Sequence, residues 1–157
     1  MRIAIASDHA GFVQKAPLTE YLRSQGHEVL DLGPATDARC DYPDFGDKVG
    51  RLVAAGGADR GVLICGTGIG ISMTAGKVAG IRAVAIQTPE FARLAREHND
   101  ANVIGLSGRF VTLEQNEAIL DVFLSTEFGG GRHAGRVAKI MREDDPSFEG
   151  VPADFGL

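Results

Sequence analysis

A chain of 157 residues with 44% hydrophobic residues is long enough to bury one core without disulfides or a structural metal. Its net charge of −5 argues against a nucleic-acid surface, and no apolar stretch is long enough to span a bilayer. Met1-Arg2 runs straight into a strand with no leader pattern, and the two cysteines, Cys40 and Cys65, stand in unlike contexts, so a cytoplasmic protein with free thiols is expected.

The first predicted strand, Ile3-Ala4-Ile5-Ala6, ends at the polar run Ser7-Asp8-His9-Ala10-Gly11. Asp8 reads either as a cap for the amides that follow it or, with His9, as a ligand contact. A helix from Phe12 to Gln25 follows, closed by Gly26, and Pro17 within it should kink it or delay its regular part because the ring clashes with a preceding carbonyl. Glu28-Val29-Leu30-Asp31-Leu32 is the second strand, after which Gly33-Pro34 opens a polar loop through Cys40. Asp41-Tyr42-Pro43-Asp44 leads into a helix with the apolar stripe Phe45, Val49, Leu52 and Val53. Tyr42 reads as a packing side chain, with a place at a pocket mouth as the alternative.

Gly61-Val62-Leu63-Ile64 is a buried strand, and Cys65-Gly66-Thr67-Gly68-Ile69-Gly70-Ile71-Ser72 follows it. The glycines allow a sharp turn and close approach to a ligand before a helix begins near Ile71 and runs to Lys77. In open α/β sheets ligands bind at this carboxyl edge, where amide dipoles also favour a thiolate. Cys65 is therefore placed as a base or nucleophile, or else is a small buried apolar residue. A dinucleotide fingerprint fails, because the sixth position from Gly66 is Ile71 and the next strand, Arg82-Ala83-Val84-Ala85-Ile86, ends at Gln87 without a ribose-binding carboxylate. A Walker loop fails too: five residues separate Gly70 from Gly76-Lys77, and Val78 stands where a hydroxyl should hold magnesium.

Thr88-Pro89-Glu90 starts a helix whose stripe of Phe91, Leu94 and Ala95 continues to His98. His98 reads equally as a core histidine or as part of a site, since Asn99-Asp100-Ala101-Asn102 follows it. The fifth strand, Val103-Ile104-Gly105-Leu106, ends at Ser107-Gly108-Arg109, and Thr112-Leu113-Glu114-Gln115 is a capping box for a helix through Leu124. After Gly129-Gly130-Gly131, Arg132 and Arg136 stand one turn apart on a predicted helix with Lys139 beside them, opposite the apolar Ala134, Val137, Ala138 and Met141. Such a pair is a solvated face, or a phosphate clamp if it lies near a ligand edge. We divide the chain into a domain of residues 1–142 and a tail of 143–157, in which Phe148, Val151 and Phe155 suggest docking. Alternating strands and helices with short connections predict a three-layer α/β sandwich around a parallel sheet of about five strands.

Taken together, Ser7-Asp8-His9-Ala10-Gly11, Asp41-Tyr42-Pro43, the run from Cys65 to Ser72, Gly80-Ile81-Arg82-Ala83, His98-Asn99-Asp100-Ala101-Asn102 and Gly130-Gly131-Arg132-His133 resemble the type B ribose-5-phosphate isomerases, a family that includes the galactose-6-phosphate isomerase subunits. The match runs in order from residue 1 to about 142. The resemblance implies a Rossmann-like fold with sheet order 2-1-3-4-5, a homodimer or a dimer of dimers with active sites between chains, and interconversion of ribose 5-phosphate and ribulose 5-phosphate without metal or cofactor. It implies Cys65 as the catalytic base, His98 as the acid that opens the sugar ring, and the Thr67 hydroxyl as an aid at the ring oxygen. Asp8, His9 and Asn99 become substrate contacts, Gly66, Gly68, Ile69 and Gly70 the oxyanion-binding loop, and Arg132 with Arg136 the phosphate clamp, with Arg109 a further candidate.

Aldose–ketose isomerisation agrees with the reading of the residues themselves, since it needs one base able to reach two adjacent carbons and donors aimed at a developing oxyanion. Ile71 stands where some relatives carry a glutamate, which leaves Cys65 as the candidate base in the loop. Gly76 replaces the asparagine common in the family, and the tail extends beyond a minimal member. Ribose 5-phosphate is the expected substrate, because the galactose-6-phosphate enzymes divide their function between two unlike chains while this chain carries the whole set. A six-carbon sugar phosphate is the alternative, and a non-catalytic flavodoxin-like module binding a phosphate or nucleotide is the alternative from another class. The expected partners are a small sugar phosphate and a second copy of the chain, with no nucleic acid and no membrane.

Overall fold

In a computed structural model describing residues 1–150, the five apolar runs become β1 (Arg2–Ser7), β2 (Glu28–Asp31), β3 (Arg60–Cys65), β4 (Ala83–Ala85) and β5 (Val103–Ser107), all parallel in one sheet. The order is β2-β1-β3-β5-β4, which corrects the expected 2-1-3-4-5 by exchanging the last two strands. Burial explains the exchange. β5 is buried along its whole length, as a strand flanked on both sides must be, whereas β4 has three residues, none of them fully buried, and suits an edge.

Each strand is followed by a helix that returns the chain to the opposite edge of the sheet: α1 (Phe12–Ser24), α2 (Tyr42–Ala54), α3 (Ile69–Ala75), α4 (Pro89–Asn99) and α5 (Leu113–Ser125). A 3₁₀ turn, Gly131–His133, then leads into α6 (Ala134–Arg142). One face of the sheet packs Ile3, Ile5, Val62, Ile64 and Ile104 against Leu18 and Leu22 of α1, Ala92 and Ala95 of α4, and Ile119 and Phe123 of α5. The other face packs Ala4, Leu63, Cys65 and Val103 against Phe45, Val49 and Val53 of α2 and Ile71 and Ala75 of α3. These two layers give the predicted sandwich, and burial of each large aliphatic side chain contributes about 1.5–3 kcal/mol.

Local signals hold at most ends. Thr88 Oγ1 accepts from the Phe91 amide, and Thr112 and Gln115 exchange both bonds of a capping box. α1 continues through Pro17, and α3 starts at Ile69, two residues before the predicted start. The stripe of α4 is rotated from its expected phase: Phe91 is 63% exposed, and the buried residues are Ala92, Ala95 and Arg96. Arg132 lies in the 3₁₀ turn and Arg136 in α6, so the two do not share one regular helix. The start of the tail docks on its own chain, where Asp144 Oδ2 accepts from the Gly80 amide at 2.8 Å and the Arg142 guanidinium lies 5.1 Å from the Phe148 ring. Val151 and Phe155 lie outside the described residues.

Candidate active site

Cys65 is the last residue of β3, 4% exposed, with its side chain on the α2/α3 face of the sheet. The chain turns immediately after it because Gly68 adopts φ 78°, a left-handed conformation that costs a residue with a Cβ roughly 1–2 kcal/mol. That turn aims the Gly68 amide at Cys65 Sγ, 3.1 Å away. An amide aimed at the sulfur is the electrostatic arrangement in which a cysteine can take up and return a proton. The turn fits tightly against β5: a Cβ on Gly105 would stand 1.9 Å from Ser72 Oγ and 2.5 Å from the Gly68 carbonyl oxygen. Ser72 Oγ in turn donates to that carbonyl at 2.7 Å.

The strand ends beside β3 complete a crevice of about 400 Å³ lined by Asp8, His9, Tyr42, Cys65, Thr67 and Arg109, together with Ala10, Gly66, Ile69 and Gly70. Asp8 is 5% exposed, and its Oδ1 accepts from the amides of Ala10 and Gly11 at 2.9 and 3.1 Å. It thus caps the turn ahead of α1 rather than the helix itself. His9 Nδ1 lies 3.0 Å from the Cys40 carbonyl oxygen and 3.4 Å from the Cys40 amide nitrogen, which anchors that edge of the ring to residue 40. Thr67 Oγ1 accepts from the Ile69 amide at 3.3 Å, so its own hydrogen is available to a ligand. Tyr42 both lines the crevice and packs: a Cβ on Gly70 would stand 2.7 Å from its Cζ.

Arg109 reaches over Gly66 from the turn after β5, and a polar network beneath fixes that turn. Gln14 Nε2 donates to the carbonyls of Gly108 and Val111 at 3.2 and 2.9 Å. The fully buried Asn116 donates to Gln14 Oε1 at 2.8 Å and to the Ser107 carbonyl at 3.0 Å. Ser107 Oγ donates to the Gly66 carbonyl at 2.8 Å, tying the arginine's turn to the glycine loop. Neither Gln14 nor Asn116 stands out in the sequence, because they pair with each other and with the Gly108 and Val111 carbonyls across a long stretch of chain.

His98, Asn99, Arg132 and Arg136 do not join this crevice within one chain. α4 begins beyond β4 at the carboxyl edge and runs back across the sheet, so its last turn, with His98 and Asn99, lies at the amino edge near the start of β5. Its 11 residues span about 16 Å. There the His98 ring stacks on His133, with centroids 4.2 Å apart and planes 8° from parallel. The Gly129 amide donates to the Glu97 carbonyl at 2.9 Å, which brings the 3₁₀ turn to the end of α4, and within that turn Arg132 Nε donates to His133 Nε2 at 3.4 Å. The same turn of α4 is pinned from below. Asp100 adopts φ 48° and accepts from Arg82 Nη2 and Arg96 Nη1, both at 2.8 Å, while Arg82 Nε donates to its carbonyl. Arg96 is 2% exposed and also donates to the carbonyls of Ala101 and Thr126.

Two clusters thus lie on opposite edges of the sheet, a thiol with a glycine loop on one and histidines with arginines on the other. Residues 3–140 match the family model described as Ribose/Galactose Isomerase. The chain belongs to the ribose/galactose isomerase family. It is 45% identical over 139 residues to ribose-5-phosphate isomerase B of Escherichia coli, covering 88% of this chain and 93% of that one. The solved structure of ribose-5-phosphate isomerase B from Mycoplasma genitalium with bound ribulose-5-phosphate superposes with a TM-score of 0.89 at 45% identity, covering 93% of this chain and 97% of that one. The galactose-6-phosphate isomerase subunit LacB of Clostridium acetobutylicum is 44% identical over 156 residues, covering 99% of this chain and 88% of that one. In this member of the ribose/galactose isomerase family, no group of three His, Cys, Asp or Glu side chains among the described residues is placed to hold a metal ion. No helix among them is long and apolar enough to cross a membrane.

Proposed function

We propose that this chain interconverts ribose 5-phosphate and ribulose 5-phosphate, with Cys65 as the base that moves a proton between C2 and C1. The observation that carries the reading is the Gly68 amide 3.1 Å from Cys65 Sγ at the floor of an open crevice. The thiolate takes the C2 proton of the open-chain aldose, and the electrons left behind form the enediolate. The same sulfur then returns the proton to C1 while a proton moves from O2 to O1, so that C2 becomes the carbonyl carbon. The oxygens that gain charge lie within reach of the Thr67 hydroxyl and the amides of the 66–70 loop. Asp8 and His9 contact substrate hydroxyls, His9 through its Nε2 edge.

The working site is completed by a second copy of the chain. A two-fold arrangement brings the His98, Asn99, Arg132 and Arg136 edge of one copy against the Cys65 crevice of the other and generates two equal sites. His98 then serves as the acid that opens the sugar ring, and the two arginines join Arg109 on the phosphate. The separation of the two clusters on opposite edges of the single chain supports this assembly, because neither edge alone holds both a base and a full set of phosphate donors.

The test is Cys65→Ala against the parent with ribose 5-phosphate. The variant is expected to remain folded and to lose about 10²–10⁴-fold in kcat with KM little changed, the pattern of a group needed in the transition state. Turnover near that of the parent would remove Cys65 from the role. Likeness to the galactose-6-phosphate subunit keeps a six-carbon substrate as the second reading, and kcat/KM measured on five- and six-carbon phosphates separates the two.

A further inference from the structure

His98 and His133 form a nearly parallel stack, with centroids 4.2 Å apart, and the second ring has no part in the reaction described above. We propose that His133 is a positioning residue for His98: its stacked ring holds the ring plane of that histidine. The inference rests on the isomerase reading and on His98 as the group that handles the sugar ring.

Geometry supplies the contact. Two imidazoles at van der Waals distance are attracted face to face when at most one is charged, whereas two imidazolium rings repel, so a neutral His133 is the partner that lets the stack hold. Arg132 Nε donates to His133 Nε2 at 3.4 Å, which makes that nitrogen an acceptor and His133 the neutral partner. The charged and titratable groups around His133 act in the same sense. Partial burial, then His98, Arg132 and Arg136, lower its pKa below the usual histidine value, and Glu97 on α4 opposes them. The backbone around His98 is fixed by the Asp100, Arg82 and Arg96 clamp, so the stack restricts what remains free, rotation of the ring.

The placement of the acid matters at one step. Opening the furanose of ribose 5-phosphate breaks the C1–O4 bond, delivers a proton to O4 and removes one from O1, which becomes the aldehyde oxygen. Ribulose 5-phosphate cannot close the corresponding ring because its C5 oxygen carries the phosphate. Exchange of its C1 proton with solvent therefore needs the base but not the ring-opening acid.

The experiment compares the parent, His133→Ala and His133→Phe in two assays, net turnover of ribose 5-phosphate and wash-in of deuterium at C1 of ribulose 5-phosphate in D₂O followed by NMR. His133→Ala is expected to lose roughly 10-fold or more in ribose 5-phosphate kcat, within the range general acids contribute, with deuterium wash-in nearly unchanged. His133→Phe restores a neutral stacking ring and should return most of the lost kcat. Equal losses in both assays, full activity of His133→Ala, or no recovery in His133→Phe each overturn the proposal. A parent that shows neither reaction overturns the isomerase reading itself, an outcome distinct from those three.

Discussion

Gly68→Ala is expected to damage the fold and the thiol together. Gly68 has φ 78° and ψ −14°, and holding alanine there costs roughly 1–2 kcal/mol. The added Cβ would stand 2.8 Å from the Gly105 carbonyl oxygen and 2.9 Å from its carbon. Both are backbone atoms of the buried β5 and cannot rotate aside, so relief requires a shift of loop or strand at about 1–3 kcal/mol. The sum, about 2–5 kcal/mol, is a large part of the 5–15 kcal/mol typical of a domain and corresponds to a fall in Tm of about 4–20 °C. The same shift draws the Gly68 amide away from Cys65 Sγ. Hydrogen bonds to charged groups contribute about 1.5–3 kcal/mol, so losing this one from the reacting sulfur should slow both alkylation of Cys65 and turnover by about 10–100-fold. Thermal unfolding measures the first effect. The rate of Cys65 alkylation by iodoacetamide at fixed pH, in a Cys40→Ser background, measures the second. A variant that melts with the parent and alkylates at the same rate would refute the account of the loop.

Replacing Arg132, Arg136 or Arg109 with Ala should weaken inorganic phosphate and substrate by about 1.5–3 kcal/mol each, read by calorimetric titration and KM, and unchanged affinity in all three would return them to a solvated role. Asp100→Ala leaves the buried Arg96 without its carboxylate and should destabilise by about 3–5 kcal/mol in denaturant unfolding; a loss under 1 kcal/mol would show that the Ala101 and Thr126 carbonyls suffice. His27 is lowered by partial burial and then by the N-terminal ammonium, and His133 by partial burial and its cationic neighbours. A histidine with a depressed folded value contributes stability that is present above its unfolded pKa of 6.5 and lost as pH falls, because the unfolded chain takes the proton first. Stability should therefore decline from pH 7 to pH 5, and less steeply in His27→Phe and His133→Phe; identical slopes in parent and variants would contradict the assignment.

What was legible in the sequence is what short-range chemistry decides. The Thr112 and Gln115 capping box, the Thr88 helix start and the turn after Cys65 depend on residues within a few positions of one another, and all three form as expected. The order of β4 and β5 depends on which strand is flanked on both sides, and the full burial of Val103 to Ser107 against the partial exposure of Ala83 to Ala85 is a property of the assembled sheet. The phase of α4 was misread because an arginine is ordinarily assigned to solvent. Arg96 is buried because Asp100, Ala101 and Thr126 supply acceptors, and that rotation carries Phe91 outward. His133 belongs to the Gly130–His133 motif but has no role legible there, and Asn116 carries no local mark, since the side chains that define them, His98 and Gln14, lie far along the chain.

The most direct test of the central claim is to incubate the purified, otherwise unmodified chain with ribose 5-phosphate in D₂O and follow the sugar by NMR. The expected product is ribulose 5-phosphate, formed without added metal or cofactor and carrying deuterium at C1 to the extent that the Cys65 proton exchanges with solvent before its return. A chain that is folded, binds the sugar phosphate and forms no ketose would contradict it.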